Sequence, residues 1–304
     1  MKRKIISLLQ IVLVLVVAYS LFKTYVYYRD NQAYNALEQD YKNQLLEYTP
    51  NIHATDENKP GLDCGPKNED FIASEEKDIQ ASEDEEIQAS EEKEIQKPEE
   101  EIHIPEDKEI QTSADKEIQA SLEFINNLKK SYPQVQARLI IDSLDMDYPI
   151  VQGQDNSYYL DHNYKGEYHP FGAVFIDSRN TPDFENQNTI VYGHNVKTGH
   201  VFHSLKEYRD EDFVRDNPYI IVDTTSQRMT YKIFAVYVAD AYDDYRSIAY
   251  KDQEFDDFLM MIKDKNLFEG QSPSPNDRIL TLSTCSNMED VDDRLVVQAV
   301  LINQ

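Results

Sequence analysis

The last 184 residues, Ser121 to Gln304, predict a mainly β domain, a closed or nearly closed antiparallel barrel of eight strands with helices attached. Two observations carry that expectation. Eight short runs rich in β-branched and aromatic residues follow one another between turn-forming clusters, and only a few stretches show a helical period. The length is also right, since a segment of this size can bury one good core.

The strands, in order, are expected at Ala137–Ile141, Tyr148–Gln152, Gly172–Asp177, Thr189–Tyr192, Tyr219–Asp223, Met229–Val238, Arg278–Thr284 and Leu295–Ile302. Ser121 reads as the N-cap of an amphipathic helix with Phe124, Ile125 and Leu128 on one face, ending before Pro133. Two more helical pieces interrupt the strands, at Gly199–Tyr208 and at Gln253–Phe268, where Phe255, Phe258, Leu259 and Ile262 share a face.

Three segments precede this domain. Residues 1–23 read as a membrane anchor: Met1-Lys2-Arg3-Lys4 leads into the apolar run Ile5 to Phe22, broken only by Ser7, Gln10 and Ser20, and Lys23 follows. Eighteen helical residues span about 27 Å, enough to cross a bilayer core. A cleaved signal peptide with Ala18-Tyr19-Ser20 as its processing site is the rival, and the length of the run favours the anchor. Three basic residues before the span and one after it put the N-terminus in the cytoplasm and the rest outside.

Residues 24–66 begin with tyrosines and leucines at helical spacings, Tyr25, Tyr28, Tyr34, Leu37, Tyr41 and Leu45, and read as a juxtamembrane helical segment. Residues 67–120 are different. Isoleucines 79, 87, 95, 102, 110 and 118 recur at steps of eight or seven, each beside an acidic residue. One apolar residue per octad builds neither a strand face nor a coiled-coil seam. From Glu69 to Glu117 there are 20 Asp or Glu and 5 Lys, so 15 of the chain's 27 net negative charges sit in this stretch. It reads as an extended, disordered, self-repelling spacer, with a surface for a basic wall polymer as the alternative. Such a charge balance argues against nucleic acid as a partner.

The chain has two cysteines, Cys64 in the polar tract and Cys285 at the end of an apolar run. A disulfide between them would close a very long loop onto an unordered partner, so none is expected. Cys285 is more than a small core residue if a proton donor and an oxyanion partner lie near it. Two candidates stand at strand ends. His194 follows the strand Thr189–Tyr192 across Gly193, and Arg294 opens the last strand nine residues after Cys285. A loop that short makes the last two strands an antiparallel pair and brings Cys285 beside Arg294.

The motifs T-L-S-T-C (Thr281 to Cys285), V-Y-G-H-N (Val191 to Asn195) and D-R-L-V-V (Asp293 to Val297) resemble those of the class B sortases of Gram-positive bacteria. So do Tyr158 to Asn163 and Phe175 to Asn180, and the order of motifs is the family's from about Ser121 to Gln304. The resemblance implies a sortase-type eight-stranded β-barrel and a cysteine transpeptidase of the peptidase class. It implies Cys285 as nucleophile, His194 as general acid and base, Arg294 as the oxyanion and substrate group, and Ser283 and Thr284 as shapers of the threonine pocket. The implied substrates are surface proteins with a C-terminal sorting motif of the N-P-x-T-N or S/P-P-x-T-G kind, and the implied acceptor is a peptidoglycan amine. The acidic octads are not a hallmark of that family.

No cofactor or metal is expected. His200 and His203 have H-x-x-H spacing without an indicated third ligand; His162 and His169 lie in a polar loop region, and the pairs Asp243-Asp244 and Asp256-Asp257 read as solvated charge. Two rival functions stand beside the transpeptidase: a cysteine or serine hydrolase, with Ser283 or Ser286 as the alternative nucleophile and water as acceptor, and a non-catalytic wall-binding or spacer protein whose acidic tract is the working part.

Overall fold

The computed structural model describes residues 2–49, 106–240, 243–269, 272–285 and 293–303. Cys64, Ser286 and the acidic octads before residue 106 lie outside them, and Cys285 is described by its backbone. The eight strands are β1 (Val135–Ile141), β2 (Met146–Gln152), β3 (Val174–Ile176), β4 (Asn188–Tyr192), β5 (Tyr219–Thr224), β6 (Arg228–Asp240), β7 (Ile279–Cys285) and β8 (Asp293–Asn303). They close into a barrel in the order β1-β2-β3-β4-β7-β8-β6-β5. Alternate residues such as Leu139, Ile150, Val191, Val222, Val236, Leu280, Leu282 and Val297 fill its interior.

The barrel is not wholly antiparallel. β2 pairs parallel with β3, and β4 parallel with β7. Parallel neighbours need long crossovers. The chain supplies them: residues 153–173 link β2 to β3, and the whole of β5, β6 and α4 (Asp252–Lys265) intervenes between β4 and β7. α4 covers the outside of the barrel with Phe255, Phe258 and Ile262 over Phe234, Tyr237, Ile279 and Val296. The expected helix at Gly199–Tyr208 is a 3-10 segment, His203–Arg209, followed by the short α3 (Glu211–Asp216), which Asp210 caps by accepting from the Asp212 and Phe213 amides.

Both N-terminal helices lie against the barrel. α1 runs unbroken over Lys2–Tyr48, so the apolar segment and the tyrosine-rich segment are one helix. Its residues Ile11 to Phe22 leave their large apolar side chains exposed, and α1 is the one helix among the described residues long and apolar enough to cross a membrane. Farther along, Tyr34, Tyr41 and Leu45 are buried, the tyrosine hydroxyl of Tyr41 donating to Asp147 at 3.2 Å.

α2 spans Glu106–Ser131 and starts fifteen residues before Ser121. Ser121 is therefore inside the helix and caps nothing. Its hydroxyl donates to the buried Asp223 carboxylate and accepts from Arg138 Nη1 at 2.7 Å, while Arg138 forks onto both oxygens of Asp147 at 2.7 Å. Burial works against the Arg138 cation, but hydrogen bonds and charge from Asp147, with Tyr41 and Asp223, outweigh it and hold its pKa above the ordinary value. α1 and α2 both pack on the barrel and on each other, through Tyr41 and Tyr48 against Phe124. The link from the apolar segment to the barrel is α1.

Candidate active site

Strand β7 is buried on both sides, with leucines on its inner face and Ile279, Thr281 and Ser283 on its outer face. Leu280 and Leu282 point into the barrel core and Ile279 lies under α4. It pairs antiparallel with β8 over its full length, and the last pair in that register is Cys285 opposite Arg294. The short connection expected from sequence therefore sets thiol and guanidinium residues on adjacent strands. Arg294 is half-buried and its Nη1 donates to the Asp293 carbonyl at 2.9 Å.

On the other side of β7 runs β4, in parallel register with Tyr192 opposite Ser283. The ladder continues one step, the Gly193 amide donating to the Ser283 carbonyl at 3.3 Å, and the chain then leaves the sheet at His194. Glycine is required before it: a Cβ on Gly193 would lie 2.7 Å from Phe202 Cγ and 2.9 Å from Val201 Cγ1. The ring of Phe202 thus packs directly on the backbone that carries His194, and its amide donates to the His194 carbonyl at 2.9 Å.

His194 Nε2 lies 2.7 Å from the carbonyl oxygen of Leu160. A carbonyl only accepts, so Nε2 carries a proton and Nδ1 is the ring atom left for proton exchange. Leu160 closes a 3-10 turn, Tyr158–Leu160. That turn is seated by Gly172, which has φ +62° and no room for a side chain against the Tyr159 and Leu160 carbonyls. A backbone acceptor of this kind leaves no side-chain signature, and sequence reasoning missed it; Y-Y-L in the resembling motif is the one trace.

Ser283 and Thr284 are buried. The Ser283 hydroxyl shares a 2.9 Å hydrogen bond with Tyr245, which stands in the β6-to-α4 connection, and Thr284 Oγ1 has no hydrogen-bond partner among the described residues. Burial raises the Tyr245 phenol pKa, partly offset by Ser283 and by the cations of Arg246 and Arg294. Behind β4, Tyr192 donates to Asp177 at 2.9 Å and Arg179 clasps the same carboxylate at 2.8 and 2.9 Å. Burial pushes Asp177 up, but these hydrogen bonds win and hold it below the usual carboxylate value.

The other described histidines have partners of their own. His162 stacks on Tyr158 at 4.1 Å and pairs with Asp161. His203 faces Asn195 and Lys206. His200 faces Glu38 and Asn31, and His169 the Asp30 carbonyl, all on α1. The H-x-x-H spacing thus serves two different sets of contacts.

A family model described as the sortase domain matches residues 139–302. Sortase B of Listeria monocytogenes is 36% identical over 183 residues, 59% of this chain and 74% of that protein. A mutant form of Clostridium perfringens sortase B superposes with a TM-score of 0.58 at 31% identity, covering 63% of this chain and 92% of that one. The Staphylococcus aureus sortase B–substrate complex superposes with a TM-score of 0.57 at 27% identity, covering 64% and 92%.

Proposed function

Because this chain belongs to the sortase family, and within it to class B, we propose that it cuts a C-terminal sorting motif after threonine and joins the threonine to a peptidoglycan amine through a thioester on Cys285. Its general activity is that of a transpeptidase anchoring proteins to the cell wall; the motif, N-P-x-T-N or S/P-P-x-T-G, and the acceptor belong to the proposal.

The Cys285 thiolate attacks the threonine carbonyl carbon, and the electron pair moves onto the oxygen. The Arg294 guanidinium donates to that oxyanion. Collapse expels the downstream amine, which takes the proton held on His194 Nδ1 and leaves a thioester. The acceptor amine then loses a proton to Nδ1, attacks the thioester carbonyl and releases the thiolate. One amide is broken and one is formed, and His194 ends protonated as it began. Leu160 holds Nε2–H throughout, so proton traffic runs through the other nitrogen. Ser283, on the same face of β7 as Cys285, shapes the threonine pocket together with Tyr245. Thr284 belongs to the face of Leu280 and Leu282, opposite Leu295 of the barrel core, and does not share that wall.

The observation that carries this reading is the register of β7, which sets Cys285 opposite Arg294 while parallel β4 ends at Tyr192, opposite Ser283, two residues before His194. On the membrane side, residues 5–22 cross the bilayer with the N-terminus inside. Tyr27 meets Phe171 five residues after Phe22, about 7 Å along a helix, so the barrel works at the membrane surface and the acidic residues 67–105 do not set its height.

The test incubates the full chain in detergent with a library of five-residue motif peptides, with and without an amine, and reads the Cys285 adduct by mass spectrometry. A thioester adduct and, with amine, a new amide product are expected. Loss of turnover in Ser283→Ala with retention in Cys285→Ala, or free acid as the sole product in the presence of amine, would establish the hydrolase instead.

A further inference from the structure

The loop that carries His194 is held from outside the barrel. It leaves β4 at Gly193, pairs Asn195 with Val201, and returns at Phe202 under the His194 carbonyl. Val201 sits at φ 56°, in the left-handed region that a β-branched residue avoids. Such a conformation persists where its surroundings overdetermine it.

The surroundings here are α1. His200, next to the strained residue, points Nδ1 at Glu38 and Nε2 at Asn31, each at 3.1 Å. Tyr148 donates to the same Glu38 oxygen at 2.9 Å and accepts from the Val201 amide at 3.2 Å. Between His200 and His169 stands Tyr34, 5.0 Å from each ring, and His169 Nε2 is 3.0 Å from the Asp30 carbonyl. His169 belongs to the second support of the site, since its carbonyl accepts from Gly172, the residue that seats Leu160. Asn31, Tyr34 and Glu38 lie at three- and four-residue steps, one stripe of a helix.

Building on the catalytic assignment of His194, we propose that this stripe of α1 is a positioning element of the active site: Asn31, Tyr34 and Glu38 grip the His194–Phe202 loop and the Leu160 turn together and so fix the imidazole between its two supports. The helix that continues from the apolar segment is thereby part of the working enzyme. Misplacement of a reacting group by about 1 Å costs on the order of a hundredfold in rate, so loosening this grip should act on turnover and not on peptide affinity.

The full chain is purified in detergent as wild type, Asn31→Ala, Tyr34→Ala, Tyr34→Phe, Glu38→Ala and Glu38→Gln. Peptide cleavage is measured well below each variant's unfolding temperature, and the pH dependence of alkylation is read on the Cys285 peptide alone, so that Cys64 does not contribute. Tyr34→Ala and Glu38→Ala should lose about tenfold or more in kcat, equivalent to about 1.4 kcal/mol of barrel-to-site coupling, with KM within about twofold, and should shift the Cys285 pH profile. Tyr34→Phe keeps the ring and Glu38→Gln keeps an acceptor, so both should stay near wild type. Asn31→Ala removes one contact and folds even if the others do not; it should show a smaller loss of the same kind. Unchanged kcat and pH profile in Asn31→Ala and in the folded alanine variants, with only the unfolding temperature lowered, would reduce α1 to a stabilising strut. If His194→Ala also kept its turnover, the catalytic assignment itself would fail, and the two outcomes are distinct.

Discussion

The two sides of the proposed active site are built in opposite ways. Cys285 and Arg294 are nine residues apart on strands joined by one connection, and forming that antiparallel pair sets them opposite each other. His194 is 91 residues from Cys285 in sequence, reaches it only through a parallel pairing, and is held by Leu160, 34 residues away, and through His200 by Glu38, a further 162 residues removed from its histidine partner. A short loop closes at little entropic cost, whereas remote contacts form only when most of the fold exists. The cysteine side is thus assured by folding of the barrel. The histidine side depends on several distant segments and can be lost while the barrel stands.

The largest effect should come from the side that is built locally. Arg294→Ala removes the proposed oxyanion donor and should lower turnover by about a hundredfold to a thousandfold, with an unfolding temperature close to wild type because the residue is only half-buried. Arg294→Lys keeps the charge but not the planar fork and should recover little of the loss. Single-turnover kinetics with a motif peptide separate acylation from transfer. Near-normal acylation in a folded Arg294→Ala would mean that the β7–β8 register does not serve an oxyanion.

An intermediate effect should follow from disturbing the remote side. Gly193→Ala drives a methyl group against the Phe202 ring; overpacking of this kind costs about 1–3 kcal/mol, and here the strain falls on the residue before His194. Turnover should drop by about tenfold to a hundredfold, with a measurable fall in unfolding temperature. Phe202→Leu in the same chain should restore part of both. If Gly193→Ala were as active as wild type, the histidine side would be less tightly built than its contacts indicate.

What could be read from the sequence follows the same division. All eight strands lie within a few residues of their expected places, because each is a local pattern of β-branched and aromatic residues. Cys285, His194 and Arg294 stand at strand ends for the same reason. The parallel pairings of β2 with β3 and β4 with β7 were not legible, since nothing local distinguishes a crossover from a hairpin across a long connection. The start of α2 at Glu106 was hidden by charge: Glu, Lys, Gln and Ala are good helix formers, and their charge was read as disorder. Ser121 had the chemistry of a cap but found Arg138 and Asp223 instead. The Leu160 carbonyl and the α1 stripe were invisible, the first because every residue has a carbonyl, the second because Asn31, Tyr34 and Glu38 acquire meaning only opposite His169 and His200.

The smallest effect should appear when the remote side is loosened by acid. His169 is buried under α1, with its Nε2 toward the Asp30 carbonyl and its Nδ1 accepting from the Phe171 amide at 3.2 Å. That arrangement needs the neutral ring, because a proton on Nδ1 would face another N–H. Burial lowers the His169 pKa below its ordinary 6.5, with neighbouring His200 adding to the effect and the Asp30 carbonyl and charge opposing it. The unfolded chain therefore binds the proton more readily than the folded one, so the contribution of this histidine is intact above 6.5 and declines as the pH falls below it. The charged and titratable groups around it are Asp30 and Tyr34 of α1 and His200 of the His194–Phe202 loop. The unfolding temperature of the full chain should fall between neutral and mildly acidic pH, and in His169→Gln, which keeps a donor and an acceptor but cannot titrate, it should fall less. Cysteine alkylation measured on the same samples should report the histidine side loosening before the barrel unfolds. Equal acid dependence in wild type and His169→Gln would show that the support beneath Leu160 does not feel this proton, and would leave α1 holding His194 through His200 alone.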